Sequence, residues 1–79
     1  MSLNIRYSKQ AKKFISKQDK LQRDRLESAI NNLPNGDVKK LKGYDYYRLR
    51  VGDYRVIFDK RLNIVEIIKI DNRGDAYKR

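Results

Sequence analysis

Three arginines carry the most chemistry in this 79-residue chain. Arg48, Arg50 and Arg55 lie within the run YYRLRVGDYRVIF, residues 46–58. The run reads as two strands joined by a two-residue turn at Gly52-Asp53, which sets Val51 opposite Tyr54, Arg50 opposite Arg55, Leu49 opposite Val56 and Arg48 opposite Ile57. Like charges placed directly opposite each other destabilise a sheet by roughly 0.2–1 kcal/mol, so a fold that keeps them has a use for them. An anion between them is the natural one. The guanidinium fork matches a phosphate or carboxylate and keeps its proton far above neutral pH, so these groups hold and neutralise an anion but do not take up a proton.

The remaining side chains narrow the chemistry further. The chain has no cysteine and no histidine, which removes disulfides, thiolate nucleophiles, zinc sites and the usual acid/base group. No metal or cofactor is expected, and catalysis would run on Arg, Lys, Tyr, Asp or Glu. Twenty Lys and Arg against 10 acidic residues give a net charge of +10, which attracts polyanions, nucleic acid first. Lys39, Lys40 and Lys42 form a basic connection able to hold phosphates. Tyr44, Tyr46 and Tyr77 are base-stacking platforms or, equally, rings that cover apolar surface with a wet hydroxyl. In the tail, Arg73 and Tyr77 would emerge together at one end of the sheet, although basic chain ends are commonly just solvated. If Lys60-Arg61 is the next turn, Arg55 faces Glu66, which supplies a purely structural ion pair as the competing explanation and would depress the Glu66 pKa.

Positioning these residues falls to a small set of elements. Leu3 to Tyr7 alternates in the period of a strand, and Ser8 suits the N-cap of a short helix, Lys9 to Ser16, with Ala11, Phe14 and Ile15 on one side. Asp19 with Gln22 resembles a capping box, and Leu26, Ala29, Ile30 and Leu33 line the second helix until Pro34. After the hairpin, a third strand from about Leu62 to Asp71 carries Ile64, Val65, Ile67, Ile68 and Ile70, a run continuous enough to suggest cover on both faces. The order β-α-α-β-β-β predicts one α+β domain over residues 1–79, a helical hairpin on one face of a mainly antiparallel four-stranded sheet. Tyr47, Leu49, Val51, Tyr54, Val56 and Phe58 should face the helices, leaving Tyr46, Arg48, Arg50, Arg55 and Ile57 on the other side. No apolar segment suits a secretory signal or a membrane span, so a cytoplasmic protein without a membrane partner is expected.

The segments KKLKGYDYYRLRVGDYRVIF and IIKIDNRGDAY, on this layout, resemble the RelE/ParE superfamily of bacterial toxins over nearly the whole chain. The resemblance implies a toxin neutralised by a cognate antitoxin that wraps across it. In the RelE-like branch it further implies an endonuclease that cuts mRNA in the ribosomal A site, close to rRNA, by attack of a ribose 2′-hydroxyl on the adjacent phosphate. Arg55 then matches the arginine that stabilises the transition state, Arg73 a leaving-group or phosphate contact, and Tyr77 the tyrosine that orients the substrate. Arg48 and Arg50 fall where one branch carries lysines proposed to activate the hydroxyl. ParE-like relatives imply the alternative, binding and poisoning of DNA gyrase without RNA cleavage.

Overall fold

The computed structural model describes residues 4–43 and 45–72. Along the chain run β1 (Asn4–Tyr7), α1 (Lys9–Ser16), α2 (Lys20–Asn31), β2 (Asp37–Lys40), β3 (Tyr47–Val51), β4 (Tyr54–Arg61) and β5 (Ile64–Asn72). The strands form one five-stranded sheet in the order β1-β5-β4-β3-β2, with β1 parallel to β5 and the other pairs antiparallel. Both helices sit on one face. The α+β architecture is the one anticipated, with one strand more.

The added strand is β2, read from sequence as a connection. Only Val38 of its residues packs on the core, and one apolar inward residue is too little alternation to signal a strand. Backbone pairing with β3 makes it one, and its shortness and charge suit a sheet edge.

Caps start both helices as their sequences require. The Ser8 hydroxyl accepts from the Ala11 amide at 3.1 Å, and Asp19 Oδ1 accepts from the Gln22 amide at 2.9 Å. Ser8 also donates to the Ile68 carbonyl at 2.7 Å, and the Gln10 amide both accepts from Ile70 N and donates to Ile70 O. Gln10 thereby extends the edge pairing of β5 beyond the last β1 residue and locks α1 onto the strand that carries Asp71. Leu26 and Ile30 of α2 and Ala11 and Ile15 of α1 pack on Leu49, Val56, Phe58, Val65, Ile67 and Ile70, all buried.

Two expectations for β5 are corrected. Its entry turn is Leu62-Asn63, not Lys60-Arg61, because β4 continues to Arg61, opposite Ile64. The continuous Ile67-Ile68 run reflects a bulge, not cover on both faces: Ile57 faces Lys69 while Phe58 faces Ile67, so Ile68 is the extra residue. Beyond the bulge, Lys69 and Asp71 share the open face of the sheet with Arg55 and Ile57.

Candidate functional site

The β3–β4 hairpin forms in the expected register, Arg50 opposite Arg55 and Arg48 opposite Ile57. Gly52, at φ +59°, takes the first turn position, where a left-handed backbone favours glycine. Strand alternation buries Leu49, Val51, Tyr54, Val56 and Phe58 against the helices and turns the three arginines to the face opposite the helices.

Cross-strand pairing arranges that face in rows. One row reads Asp37, Arg50, Arg55, Asp71 across β2, β3, β4 and β5; the next reads Lys39, Arg48, Ile57, Lys69. Arg55 Nη2 donates to Asp71 Oδ2 at 2.9 Å, and Lys69 Nζ lies 3.7 Å from the same oxygen. Asp37 meets Arg48 Nη2 at 3.4 Å and Arg50 Nε at 3.8 Å. The expected Arg55–Glu66 pairing does not occur. Glu66 faces Asp59 on β4 and Arg6 on β1, which removes it both as the structural partner of Arg55 and as a base beside it. The longer β4 and the bulge together bring Asp71 into that place.

The facing arginines are therefore bracketed by a carboxylate on each side. The surplus charge lies in the second row, where Lys39, Arg48 and Lys69 have no carboxylate in line with them. Over both rows there are five cations and two carboxylates. Arg50, Arg55 and Lys69 keep 45%, 41% and 59% of their side chains exposed, so their charge is accessible to a ligand. Arg48 is largely covered, and its Nε and that of Arg55 are buried without a hydrogen-bond partner among the described residues. Such an arrangement has the chemistry to bind and neutralise an oxyanion.

Of the residues anticipated for this site, Arg48, Arg50, Arg55 and Lys39 come together. Tyr46 and Lys40 line a separate depression of about 640 Å³ at the far end of the hairpin, with Asp59, Lys60 and Arg61, and Lys42 lines an adjoining one of about 460 Å³ with Lys40 and Gly43. Tyr44, Arg73 and Tyr77 lie outside the described residues. Asp37, Lys69 and Asp71 were not anticipated; the reach of β4 and the position of the bulge decide where the latter two point. On the helix side, Tyr7 shares a hollow of about 380 Å³ with Lys12, Ile15, Arg23 and Glu27. Burial, with the Glu27 charge second, raises its phenol pKa, so Tyr7 keeps its proton at neutral pH. No cluster of three potential metal ligands occurs among the described residues, and no helix among them is long and apolar enough to cross a membrane.

Comparison with known proteins places this fold among known ones. Residues 5–77 match the family model for the ParE toxin of type II toxin–antitoxin systems, parDE. The chain belongs to this family, within the RelE/ParE superfamily. Among solved structures, the RelE–RelB complex from Pyrococcus horikoshii OT3 contains a chain 30% identical, with a TM-score of 0.72 over 94% of this chain and 98% of that one. The RelB–RelE antitoxin–toxin complex from Methanococcus jannaschii gives 27% identity and a TM-score of 0.72 over 91% and 94% of the two chains. The YoeB dimer from Staphylococcus aureus gives 29% identity and a TM-score of 0.62 over 85% and 92%. No match is found among curated proteins.

Proposed function

We propose that this toxin-family chain is a ribosome-dependent mRNA endonuclease, in which a ribose 2′-oxygen bonds to the adjacent phosphorus as the bond to the 5′-oxygen breaks. The observation that carries the reading is the sheet face opposite the helices, on which Arg55, anchored by Asp71 at 2.9 Å, stands beside Arg50, Arg48, Lys39 and Lys69. Fixed donors aimed at charge that develops on the phosphate lower the barrier without reorganising during the reaction. Arg55 and Arg50 hold and neutralise the phosphate, and Arg73 and Tyr77 are proposed to complete the site from the chain's end. None of the arginines accepts the 2′-proton, which passes to solvent while the departing 5′-oxygen takes up a proton from it. Catalysis here rests on positioning and charge, with the ribosomal A site supplying the aligned mRNA and adjacent rRNA. A cytoplasmic location follows from that substrate.

A cognate antitoxin is the proposed protein partner, since the RelE relatives were solved as complexes with RelB. A partner that binds only the folded toxin, at a hundredfold excess over its Kd, adds about 2.7 kcal/mol of stability. It is proposed to cover Arg50 and Arg55; unchanged accessibility of both in the complex would argue against that placement.

The test is to map mRNA 5′ ends in translating ribosomes with the wild type, Arg55→Ala and Arg73→Ala. Codon-phased cuts that vanish in both variants, with melting temperatures retained, support the endonuclease. The family-model match to ParE favours a second reading, binding and poisoning of DNA gyrase. Intact mRNA with trapped gyrase cleavage complexes would establish that reading in place of the first.

A further inference from the structure

At the β2 edge of the arginine face, one carboxylate touches two guanidinium groups. Asp37 Oδ1 accepts from Arg48 Nη2 at 3.4 Å, and Asp37 Oδ2 lies 3.8 Å from Arg50 Nε. The two acids of these rows, Asp37 and Asp71, differ in kind. Asp71 is 25% exposed and bonds Arg55 at 2.9 Å, within the range of about 2.7–2.9 Å usual for charge-assisted bonds. Asp37 is 51% exposed, and both its contacts are longer than that range.

The backbone nevertheless fixes where Asp37 stands. It follows Gly36, which sits at φ +109° and so close to the core that a Cβ there would lie 3.1 Å from Leu49 Cδ1. Asp37 then pairs with Arg50 as the first residue of β2. Its two oxygens point one toward each arginine, an arrangement that the two non-bridging oxygens of a phosphodiester can also make. Arg48 also has its Nε buried without a hydrogen-bond partner among the described residues.

We infer that the space between Arg48 and Arg50 is a phosphate subsite, held in the free chain by the Asp37 carboxylate and surrendered to a phosphate of single-stranded RNA. The inference deepens the proposed function and rests on it for the identity of the polyanion. Displacement is easy because Asp37 lies at an exposed sheet edge and returns to water, whereas Asp71 stays with Arg55. Asp37 thus weakens binding of stray anions and yields to a strand that engages Arg50, Arg55 and the second row together.

The experiment measures binding of a fluorescently labelled, fully 2′-O-methylated RNA oligonucleotide, which cannot undergo the cleavage, to the full chain at fixed low salt. Asp37→Asn should tighten binding about threefold to tenfold, because a weak ion pair and one repulsive charge are removed. Asp24→Asn makes the same charge change on α2, where Asp24 pairs with Lys20, and should change binding less than twofold. In the Asp37→Asn background, Arg48→Ala should abolish the gain; should that protein melt early, Arg50→Ala serves in its place. Unchanged or weaker binding by Asp37→Asn, an equal gain from Asp24→Asn, a gain that survives removal of the arginine, or no binding by any variant would each overturn the subsite. Tighter binding by Asp37→Asn together with uncut mRNA in ribosomes would leave the subsite standing and remove the endonuclease.

Discussion

Replacing Leu62 by glycine should stabilise the protein, although it removes a large apolar side chain. Leu62 holds a φ of +51°, the only positive φ outside glycine among the described residues, and forms the β4–β5 turn with Asn63. An L-residue in the left-handed region bears a cost of about 1–2 kcal/mol that glycine escapes. Glycine returns about 0.5–1 kcal/mol of that through the greater freedom of the unfolded chain. Leu62 is 94% exposed, so almost no burial is forfeited with the side chain. The balance is a gain of about 0.5–1 kcal/mol, which in a domain of this size raises the melting temperature by about 2–8 °C. Thermal unfolding followed by circular dichroism, with a urea midpoint that rises at constant slope, measures it. A melting temperature that stays level or falls would refute the reasoning, because it would mean that the turn carries no strain to relieve.

Three further outcomes follow from the same geometry. Gly52→Ala should destabilise by about 1–2 kcal/mol through its positive φ; the new Cβ meets Arg25 Nη2 at 2.9 Å, but that flexible end can swing away, so strain sets the cost in a urea titration. Arg50→Ala should flatten the salt dependence of RNA oligonucleotide binding, lowering the slope of log K against log salt by about 0.7, the share of one neutralised phosphate on a single strand; an unchanged slope would show that Arg50 meets no phosphate. Asp71→Asn should slow ribosomal mRNA cleavage about tenfold to a hundredfold, because the 2.9 Å anchor of Arg55 loses its charge and a catalytic group displaced by an ångström loses that much rate. Oligonucleotide affinity should meanwhile stay within about threefold, since the removed negative charge offsets the looser arginine. Equal rates for Asp71→Asn and wild type would assign Asp71 to structure alone.

Elements set by local rules were legible in the sequence. Ser8 and Asp19 mark the helix starts because their side chains accept the first free amides, and Gly52 marks the hairpin because its backbone suits the turn. Both arginine pairings of the hairpin follow from that one turn. Local rules fail where pairing over a distance decides. Val38 carries too little pattern to announce β2, and Leu62 is a poor turn residue by composition, so the polar Lys60-Arg61 dipeptide was the more natural place for the turn. The misplaced turn, together with an unforeseen bulge, hid Asp71 and Lys69 and put Glu66 opposite Arg55. A bulge reverses face assignment for every residue beyond it, so an error at Ile68 becomes an error at the site.

That correction also changes what the facing arginines mean. Arg50 opposite Arg55 would be unfavourable in isolation, and an anion between them is one remedy. The fold supplies another, a carboxylate outside each arginine, so the like-charged pair by itself no longer demands a ligand. The stronger pull on an anion comes from the neighbouring row, where Lys39, Arg48 and Lys69 run across the sheet with only Ile57 between them. Asp37 and Asp71 lean toward this row as well, yet two carboxylates cannot neutralise five cations. Charge of that kind is repulsive until a polyanion or an acidic partner arrives. Under the proposed function, an RNA strand and an antitoxin would compete for it on the same electrostatic terms.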